Sequence, residues 1–561
     1  MRLGDEMPKD PLETLPPSDG GLSRRRFMQG AAALAAAAAL PSLPGVAGAS
    51  TAIDQADERD REAQAAASKR PNIVLLITDQ ERFPQHWPDG WADRNLPNRR
   101  RFAQHALTFT RAFCSSSMCS PSRATLFTGL YPAQHGVTQV LQTGMDAVDQ
   151  PTLQPTTQNM ARMLASAGYD VQYRGKWHMS KDPSGTLDVQ SQRDLERYGF
   201  RGWLPPDGGQ DQDPEHFGGG DTDYDAQYVA QAAAFLKAAS PKASKPFALV
   251  ISLVNPHDIM AHPKTWDSPS FSDIAPFKGT DNYGEDTPGC LEQGIDLPST
   301  VDEHTERNFK PAAQARSTVF WATGLGPLAT PREQLDYVNF YAFLHRESDR
   351  HIGTVLDALD ANPAVRDKTI VIRTADHGEM GLAHGGMRQK AYNAYEETLH
   401  IPLAISNPKM FPRPVRTGAL ASLVDLMPTI ATLGQVPDRG KWTFKGKDLG
   451  PIISDAVAHP TKPTASVQES VLFTTDEVIG STMVGQPSHI RCIRQAEWKF
   501  AMWFDPSGGE RPEYELYDLS TDPDELHNMA DPAGPYHDLR KAAEMRALLV
   551  SRMAETGTTP T

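Results

Sequence analysis

The chain has 561 residues, which excludes one small domain; about two domains are expected, because single hydrophobic cores stop growing near about 250–300 residues. The apolar fraction of 39% is sufficient for a folded globular protein. The formal net charge of −15 argues against a nucleic acid or an anionic membrane as partner, since either would require a basic face.

The four cysteines, Cys114, Cys119, Cys290 and Cys492, are too few to form a disulfide framework in a chain of this length. No second cysteine or histidine pair accompanies Cys114 and Cys119 at metal-ligand spacing. A structural zinc site is therefore not predicted.

Residues 1–49 have the pattern of a twin-arginine signal peptide. Residues 23–28 read Ser-Arg-Arg-Arg-Phe-Met, an Ala-rich apolar run follows over 30–40, and residues 47–49 offer small side chains for cleavage. The simpler alternative is a basic, Ala-rich leader. We expect the twin-arginine export machinery as a partner and a periplasmic or extracellular location. The apolar run is shorter than the roughly 20 residues of a membrane span, so stable membrane insertion is not expected.

Residues 50–70 are polar and predict a linker.

Four apolar stretches predict strands, and each ends in side chains that can bind a ligand or transfer a proton. Such continuous apolar runs are typical of strands buried in a parallel sheet, whose carboxyl-terminal edge is where ligands bind. Apolar residues at helical spacing separate the strands, so the sequence predicts an α/β fold. The strands and the groups after them are Asn72–Thr78 with Asp79 and Gln80, Asp170–Tyr173 with Lys176 and His178, Phe247–Val254 with His257, and Thr369–Thr374 with Asp376 and His377. The helical stretches are Gln158–Ala167, Ala226–Ala238 and Leu335–Leu359.

A short helix is predicted between Cys119 and Gly129. Ser120 can cap it, Pro121 suits its first position and Gly129 can end it in a left-handed turn. Cys119 would then lie just ahead of a helix N-terminus, where an anion is favoured, with Arg123 close by. A lone cysteine is more often merely buried, but an electropositive setting of this kind is what makes a thiol reactive.

Two long stretches, Gly199–Asp223 and Ala261–Arg332, do not fit regular elements and are interpreted as walls of a substrate pocket, with flexible surface insertions as the alternative. Beyond about Thr464 the pattern changes. Residues 496–503 and 514–519 predict antiparallel strands, and 539–553 predicts an amphipathic helix. We therefore predict a catalytic domain over 71–463 and a C-terminal α+β subdomain over 464–561.

The stretch Cys119-x-Pro121-Ser122-Arg123, continued by Thr128-Gly129, resembles the signature of the formylglycine-dependent sulfatases. Leu-Thr-Phe-Thr at 107–110 and Tyr-Pro-Ala-Gln-His-Gly at 131–136 fit the same family, and the resemblance recurs in patches over 71–528. It implies an alkaline phosphatase-like fold, in which helices flank a large mixed, mostly parallel sheet and a smaller antiparallel sheet with a helix follows. It also implies sulfate monoester hydrolysis, with Cys119 oxidised to formylglycine by a formylglycine-generating enzyme.

Asp79, Gln80, Asp376 and His377 carry donors suited to one divalent cation, and with Cys119 they make a five-ligand site. Each acidic residue alone could equally be a turn or helix cap. The resemblance supports the metal site but with two departures, because many sulfatases have Asp where Gln80 stands and Asn where His377 stands. The Gln-plus-His variant resembles phosphonate monoester hydrolases and some sulfatases. Ca²⁺ is the predicted ion, with Mn²⁺ as the alternative.

The resemblance also implies roles for the remaining site residues. Arg123 and Lys176 would hold the formylglycine and the sulfate. Asp376 would help to deprotonate the attacking hydroxyl of the hydrated aldehyde, Lys390 and His257 would assist the leaving alcohol, and His178 would take the proton whose loss expels sulfate.

Two further hypotheses remain from the sequence. One keeps the fold but has a phosphonate monoester or phosphodiester as substrate. The other is of a different class, a metal-dependent anion-binding protein without turnover, in which Cys119 stays unmodified. The favoured prediction is an exported sulfatase acting on a small-molecule or carbohydrate sulfate ester.

Overall fold

The computed structural model describes residues 70–83, 85–141, 150–181, 191–208, 224–263 and 287–560. The predicted signal peptide, the linker up to residue 69 and the parts 209–223 and 264–286 of the two long stretches lie outside these residues.

The strands of the large sheet are ordered β3-β4-β1-β5-β6-β2-β7, and every pairing is parallel except those of β6. All four predicted strands are confirmed, and they lie side by side as β3, β4, β1 and β5. Their carboxyl ends therefore meet at one edge. The strand bounds are β1 Asn72–Asp79, β2 Ala106–Phe113, β3 Asp170–Gly175, β4 Phe247–Pro256, β5 Thr369–Ala375, β6 Leu403–Ser406 and β7 Val415–Ser422.

Helices connect and cover the strands, and the predicted ones are confirmed with shifts of a few residues at their ends. One prediction was wrong: the stretch Ala261–Arg332, expected to be irregular, contains the helix α8. Many side chains of α8 are small, so the two faces of the helix differ little in apolar character. The sequence therefore showed no clear helical periodicity there. The α-helix bounds are α1 Trp91–Asn95, α2 Pro97–Ala103, α3 Cys119–Thr128, α4 Pro132–His135, α5 Met160–Ser166, α6 Gln192–Glu196, α7 Tyr224–Ala238, α8 Ala312–Leu325, α9 Pro331–Asp360, α10 Pro363–Arg366, α11 Glu396–Leu399, α12 Leu426–Leu433, α13 Gly450–Ala458, α14 Ser481–Val484 and α15 Leu539–Thr556. Short 3₁₀ helices are His257–Ala261, Thr305–Asn308, Leu423–Asp425 and Arg439–Lys441.

The large sheet is buried on both faces, as the continuous apolar run of β1 requires. Successive side chains of a strand point to opposite faces. Ile73, Leu75 and Ile77 accordingly belong to one apolar cluster, while Val74 and Leu76 belong to another formed with α7 and α9. This sandwiching fixes the register of the central strands and hence the position of the groups at their ends.

The helix α3 begins at Cys119 itself, so the predicted cap at Ser120 was wrong. Met118 is the N-cap residue, and Gly129, at φ 67°, ends the helix in a left-handed turn as predicted. The helix can start two residues before Pro121 because N–H groups of the first turn have no partner within the helix, so the missing N–H of proline costs nothing there. The hydroxyl of Ser120 instead accepts a hydrogen bond from the backbone N–H of Leu141 at 3.1 Å.

The C-terminal part forms an antiparallel sheet in the order β11-β10-β9-β8, with α15 packed against it. The two predicted strands and the helix are confirmed, and two more strands precede them. Among the described residues, no helix combines the length and the apolarity needed to cross a bilayer. The strand bounds are β8 Val471–Thr475, β9 His489–Arg494, β10 Trp498–Phe504 and β11 Glu513–Asp518.

Candidate active site

The carboxyl ends of β1 and β5 place two aspartates side by side. Thr78 pairs with Ala375 in the parallel ladder, so Asp79 and Asp376 occupy corresponding positions at the sheet edge. The backbone N–H of Gln80 donates to Asp376 Oδ1 at 3.1 Å, which ties the two strand ends together. Both aspartates are fully buried.

Cys119, the first residue of α3, lies beside this pair of carboxylates. Its Sγ lies 3.2 Å from His377 Nε2 and 3.6 Å from Asp79 Oδ1. The side chain is buried, with 1% of the residue exposed. The structure therefore brings together the predicted nucleophile and three of its predicted metal-binding neighbours.

One ligand atom each from Asp79, Cys119, Asp376 and His377 lies within 4.8 Å of the others, and all four residues are buried. His377 Nδ1 lies 3.0 Å from the carbonyl oxygen of Gly378. A carbonyl can only accept, so Nδ1 carries a proton, and Nε2 is the ring nitrogen that faces the carboxylates and can bind a cation when it is unprotonated. Two carboxylates, an imidazole nitrogen and a sulfur position converging in this way fit a divalent cation.

The electrostatic field at this cluster favours a positive charge. Burial lowers the pKa of His377, but the nearby anions Asp376 and Cys119 outweigh burial and raise that pKa above its usual value. Burial and Asp79 raise the pKa of Asp376. Burial also acts to raise the pKa of Asp79, but Lys176, His257 and Arg123 hold it well below its usual value. The two carboxyls thus differ, and Asp376 is the one that more readily holds a proton.

Gln80 lies beside the cluster with both ends of its amide occupied. Its Oε1 accepts from Lys390 Nζ, and its Nε2 donates to Glu379. Glu379 also accepts a hydrogen bond from the hydroxyl of Tyr337 at 2.7 Å. Glu379 was not among the predicted site residues, because nothing in the residues around it marks a carboxylate that acts through Gln80.

Arg123 spans the two aspartates instead of pointing freely into a pocket. Its Nε donates to Asp376 Oδ2 and its Nη2 to Asp79 Oδ2, each at 2.9 Å. Its Nη1 donates to Ser252 Oγ at 2.7 Å and to the carbonyl oxygen of Lys176 at 3.0 Å. Since a guanidinium has five N–H groups, only one on Nη2 remains. The arrangement favours Arg123 as a clamp on the carboxylates.

Lys176 reaches the same aspartate from the end of β3, and its Nζ lies 2.6 Å from Asp79 Oδ2. Gly175 makes this approach possible. Its φ is +104°, and a Cβ placed there would lie 1.9 Å from the carbonyl oxygen of Ser252 on the neighbouring strand β4. Only glycine combines that backbone angle with so close an approach.

The lysines make the setting of Cys119 electropositive, whereas the sequence had predicted such a setting from the helix N-terminus and Arg123. Burial and Asp79 act to raise the pKa of the Cys119 thiol. Lys390, Lys176 and His377 outweigh them and hold this pKa well below its usual value. In contrast, burial raises the pKa of Cys114, five residues earlier, well above the usual range. Cys119 is therefore the chemically distinctive member of the pair.

The two predicted proton-transferring histidines are held differently. The backbone N–H groups of Trp177 and His178 donate to the carboxylate of Asp207 at 2.9 and 2.8 Å, and His178 Nε2 lies 2.9 Å from the carbonyl oxygen of Leu141. His257 begins the 3₁₀ helix after β4 and contributes to lowering the pKa of Asp79. Asp207 is a further residue that the sequence analysis missed, since it becomes significant only when folding brings it to the end of β3.

A second group of ligand-type side chains, His384, Glu397 and Glu525, lies within 4.8 Å of one another. Protein side chains already pair with these carboxylates: Lys499 pairs with Glu525, and His384 Nε2 lies 3.5 Å from Glu397. The other ring nitrogen of His384, Nδ1, lies 2.6 Å from Glu303, which pairs with Lys310. This group is an ion-pair network that joins the end of the large sheet to the C-terminal sheet.

Family models and a curated relative match most of this chain. The family model described as Sulfatase matches residues 71–436, and a model described as N-sulphoglucosamine sulphohydrolase, C-terminal, matches residues 385–553. Arylsulfatase K of Gallus gallus is 26% identical over 82% of this chain and 79% of its own.

Two solved structures are similar in fold. A 2-O GAG sulfatase superposes with a TM-score of 0.63 at 20% identity, over 87% of this chain and 93% of its own. A phosphonate monoester hydrolase from Silicibacter pomeroyi does so with a TM-score of 0.63 at 20% identity, over 87% of this chain and 96% of its own.

Proposed function

The chain belongs to the sulfatase family, and from that premise we propose that it hydrolyses a sulfate monoester with a formylglycine made from Cys119. The observation that carries the proposal is the place of Cys119, which lies buried at the start of α3 among Asp79, Asp376 and His377, with its Sγ 3.2 Å from His377 Nε2. An aldehyde at this position, once hydrated, supplies a hydroxyl nucleophile for sulfur.

Asp79, Asp376 and His377, with Gln80 as a further ligand, would hold one divalent cation that draws charge from the sulfate oxygens and favours the ionised nucleophile. Ca²⁺ is the proposed ion and Mn²⁺ the alternative. Arg123 keeps both carboxylates in place through its hydrogen bonds to Asp79 and Asp376. That clamp lets two buried anions stay side by side before the cation binds.

The other polar residues are proposed to handle the charge and protons of the ester. Lys176 and Lys390 supply positive charge beside residue 119 and would neutralise the sulfate. His257 would donate a proton to the leaving alcohol together with Lys390. His178 would accept the proton released when sulfate departs, through Nδ1, because its Nε2 faces the carbonyl oxygen of Leu141.

The proposed substrate is a sulfate ester carried by a carbohydrate. Support comes from the similarity of the fold to a 2-O GAG sulfatase and from the match of residues 385–553 to the C-terminal model of N-sulphoglucosamine sulphohydrolase. A phosphonate monoester or phosphodiester is the second candidate. Gln80 and His377 favour it, as does the fold similarity to a phosphonate monoester hydrolase. The non-catalytic binding protein is set aside, since the family is one of hydrolases.

We propose that residues 1–49 direct twin-arginine export, on the strength of the Arg-Arg-Arg-Phe-Met run and the apolar stretch after it. A fusion of these residues to a reporter, compared with a fusion in which Arg24, Arg25 and Arg26 are replaced by Lys, tests this. Equal export of both reporters would contradict it.

The substrate test is a panel of matched sulfate and phosphate esters of sugars and simple phenols, assayed on protein produced with a formylglycine-generating enzyme. We expect sulfate monoesters to give the highest kcat/KM. A higher value for phosphodiesters would favour the second candidate.

A further inference from the structure

Glu477, two residues after the end of β8, is a buried carboxylate beside the active site, with 2% of the residue exposed. Among the described residues, no lysine, arginine or histidine forms an ion pair with it. Three backbone N–H groups hold it instead: those of Val478 and Ile479 donate to Oε1 at 2.9 Å, and that of Val140 donates to Oε2 at 2.8 Å. Burial raises the pKa of Glu477 to about 7, and the charge of Cys119 adds to that effect.

The contact with Val140 matters because of the next residue along the chain. Leu141 donates its N–H to Ser120 Oγ at 3.1 Å, and its carbonyl oxygen lies 2.9 Å from His178 Nε2. The short segment Val140–Leu141 is thus fixed from two sides, by Glu477 and by the residue after Cys119. It presents the carbonyl that faces the imidazole of His178.

The fold explains how a residue from the C-terminal part reaches this place. The backbone N–H of Thr474 donates to the carbonyl oxygen of Ser115 at 3.0 Å, and Thr475 Oγ1 donates to that of Ser117 at the same distance. The strand β8 is therefore anchored along the segment that leads into Cys119. Glu477 follows two residues later and turns inward to Val140.

We propose that Glu477 is a positioning residue for His178. By holding Val140 it keeps the carbonyl of Leu141 where it receives the Nε2–H of His178, which leaves Nδ1 as the basic nitrogen. Such outer partners of a reacting histidine fix its tautomer and its orientation.

This inference rests on the proposed function, in which His178 acts in the second step. There Nδ1 takes the proton from the free hydroxyl of the sulfated hydrate, the C–O bond to sulfate breaks with its electron pair leaving on the sulfate, and the aldehyde C=O forms again. Displacing His178 slows this step. It leaves the first step, in which the phenol of an aryl sulfate departs, close to its normal rate.

The test is rapid mixing of Glu477→Gln with a chromogenic aryl sulfate, followed by mass spectrometry of the peptide that contains residue 119. A glutamine can accept through only one oxygen, so it cannot serve both Val140 and the pair Val478 and Ile479. We expect a burst of phenol at a rate within a few-fold of wild type, a steady-state kcat lower by about 10–100-fold, and a sulfated peptide. Glu469 is exposed just before β8, so Glu469→Gln is the matched control and should behave as wild type.

A double-mutant cycle with His178→Ala separates positioning from general structural support. If Glu477 acts through His178, Glu477→Gln adds nothing to the slow second step of His178→Ala. The inference would be overturned if the two substitutions multiplied each other's effects on the second step. It would also be overturned if Glu477→Gln slowed the first step as much as the second. If thermal melting shows that Glu477→Gln is unfolded, Glu477→Asp, which keeps the charge but shortens the reach, is measured against the same outcomes. A wild-type protein that carries no aldehyde and hydrolyses no sulfate ester of sugars or phenols would instead overturn the proposed function itself, and the inference with it.

Discussion

Arg123 and Asp376 show how strongly the active-site residues depend on one another. Both side chains are fully buried, and their ion pair is 2.9 Å long. Removing one partner of such a pair leaves an uncompensated buried charge, which costs about 3–5 kcal/mol. Substitutions here must therefore preserve shape if their effects on chemistry are to be separated from effects on folding.

Asp376→Asn, which keeps the side-chain volume, is expected to lose both the metal ion and activity, because the carboxylate that faces His377 is gone. His178→Ala is expected to keep the metal, since His178 contacts the carbonyl of Leu141 and is not one of the clustered ligands. Metal content after desalting and burst kinetics with an aryl sulfate measure the two effects. Equal metal loss in both variants would contradict this division of roles.

Gln80 and His377 should broaden the choice of metal and substrate. Gln80 stands where many sulfatases have Asp, which removes one negative charge from the set of metal ligands. The imidazole of His377 suits Mn²⁺ better than Ca²⁺. We expect activity with either ion after removal and reconstitution, and some hydrolysis of a singly charged phosphodiester. The check is an assay of matched aryl sulfate and aryl phosphodiester with each ion. Activity with Ca²⁺ alone and none on the diester would refute the argument.

The sequence predicted the members of the cluster because Asp79, Asp376 and His377 follow apolar strands directly and Cys119 lies in a specific motif. Glu379, Ser252 and Asp207 could not be found in this way. Each acts by holding another side chain or a backbone N–H, and these contacts depend on positions far apart in the chain.

At the level of elements, the strands that were predicted differ in kind from those that were missed. The strand β1 is apolar throughout, whereas β6 has only four residues and β7 contains Arg, Thr, Gly and Ser. A four-residue segment is too short for its apolar periodicity to identify it as a strand. The antiparallel pairing of β6 with β5 and β2 arises only in the folded structure, so the sequence could not show it. The start of α3 was misplaced for a similar reason, because the local preferences at Ser120 and Pro121 do not include the contact with Leu141.

The end of β3 is expected to tolerate nothing larger than glycine. Gly175→Ala would force a Cβ against the carbonyl of Ser252 and displace Lys176 from Asp79, so we expect loss of most activity and a lower melting temperature. Gly294→Ala is the control, since Gly294 also has a positive φ, +72°, but nothing lies within 4 Å of the added Cβ. It should cost only about 1–2 kcal/mol of backbone strain. Equal effects in both variants would show that strain, and not the close approach, limits position 175.

For the whole molecule, the sequence predicted two sheets of different kinds, and both are present. The predicted boundary at 463/464 stays a prediction. The contacts of β8 with Ser115 and Ser117, and the ion pair of Lys499 with Glu396, tie the C-terminal sheet to the active-site side of the large sheet. Apolar periodicity carries no information about such polar contacts, so the closeness of the two parts was not predicted.

Acid should destabilise the whole molecule through buried carboxylates such as Glu81. Burial acts to raise the pKa of Glu81, but Arg373 and Arg99 outweigh burial and lower it from 4.5 to about 2. Its stabilising contribution is therefore complete above about pH 4.5 and is lost as the pH falls toward about 2. At 1.4 kcal/mol per unit this amounts to about 3 kcal/mol.

The measurement is urea unfolding of wild type and Glu81→Gln across pH 7 to 2.5, with Glu469→Gln as an exposed control. The difference in unfolding free energy between wild type and Glu81→Gln should be largest at neutral pH and should shrink below about pH 4.5. A difference that does not change with pH would mean that the charge of Glu81 is not what stabilises the fold.

The most direct test of the central claim measures aldehyde content and turnover on the same samples. Protein made with graded amounts of a formylglycine-generating enzyme is saturated with metal, its residue-119 peptide is quantified by mass spectrometry, and its kcat on an aryl sulfate is determined. Cys290→Ala, which removes a cysteine that is not among the site residues, serves as the control. We predict that kcat rises in proportion to the aldehyde fraction along a line through the origin, while Cys119→Ala folds but does not turn over. Full turnover by protein that carries only the Cys119 thiol would contradict the account.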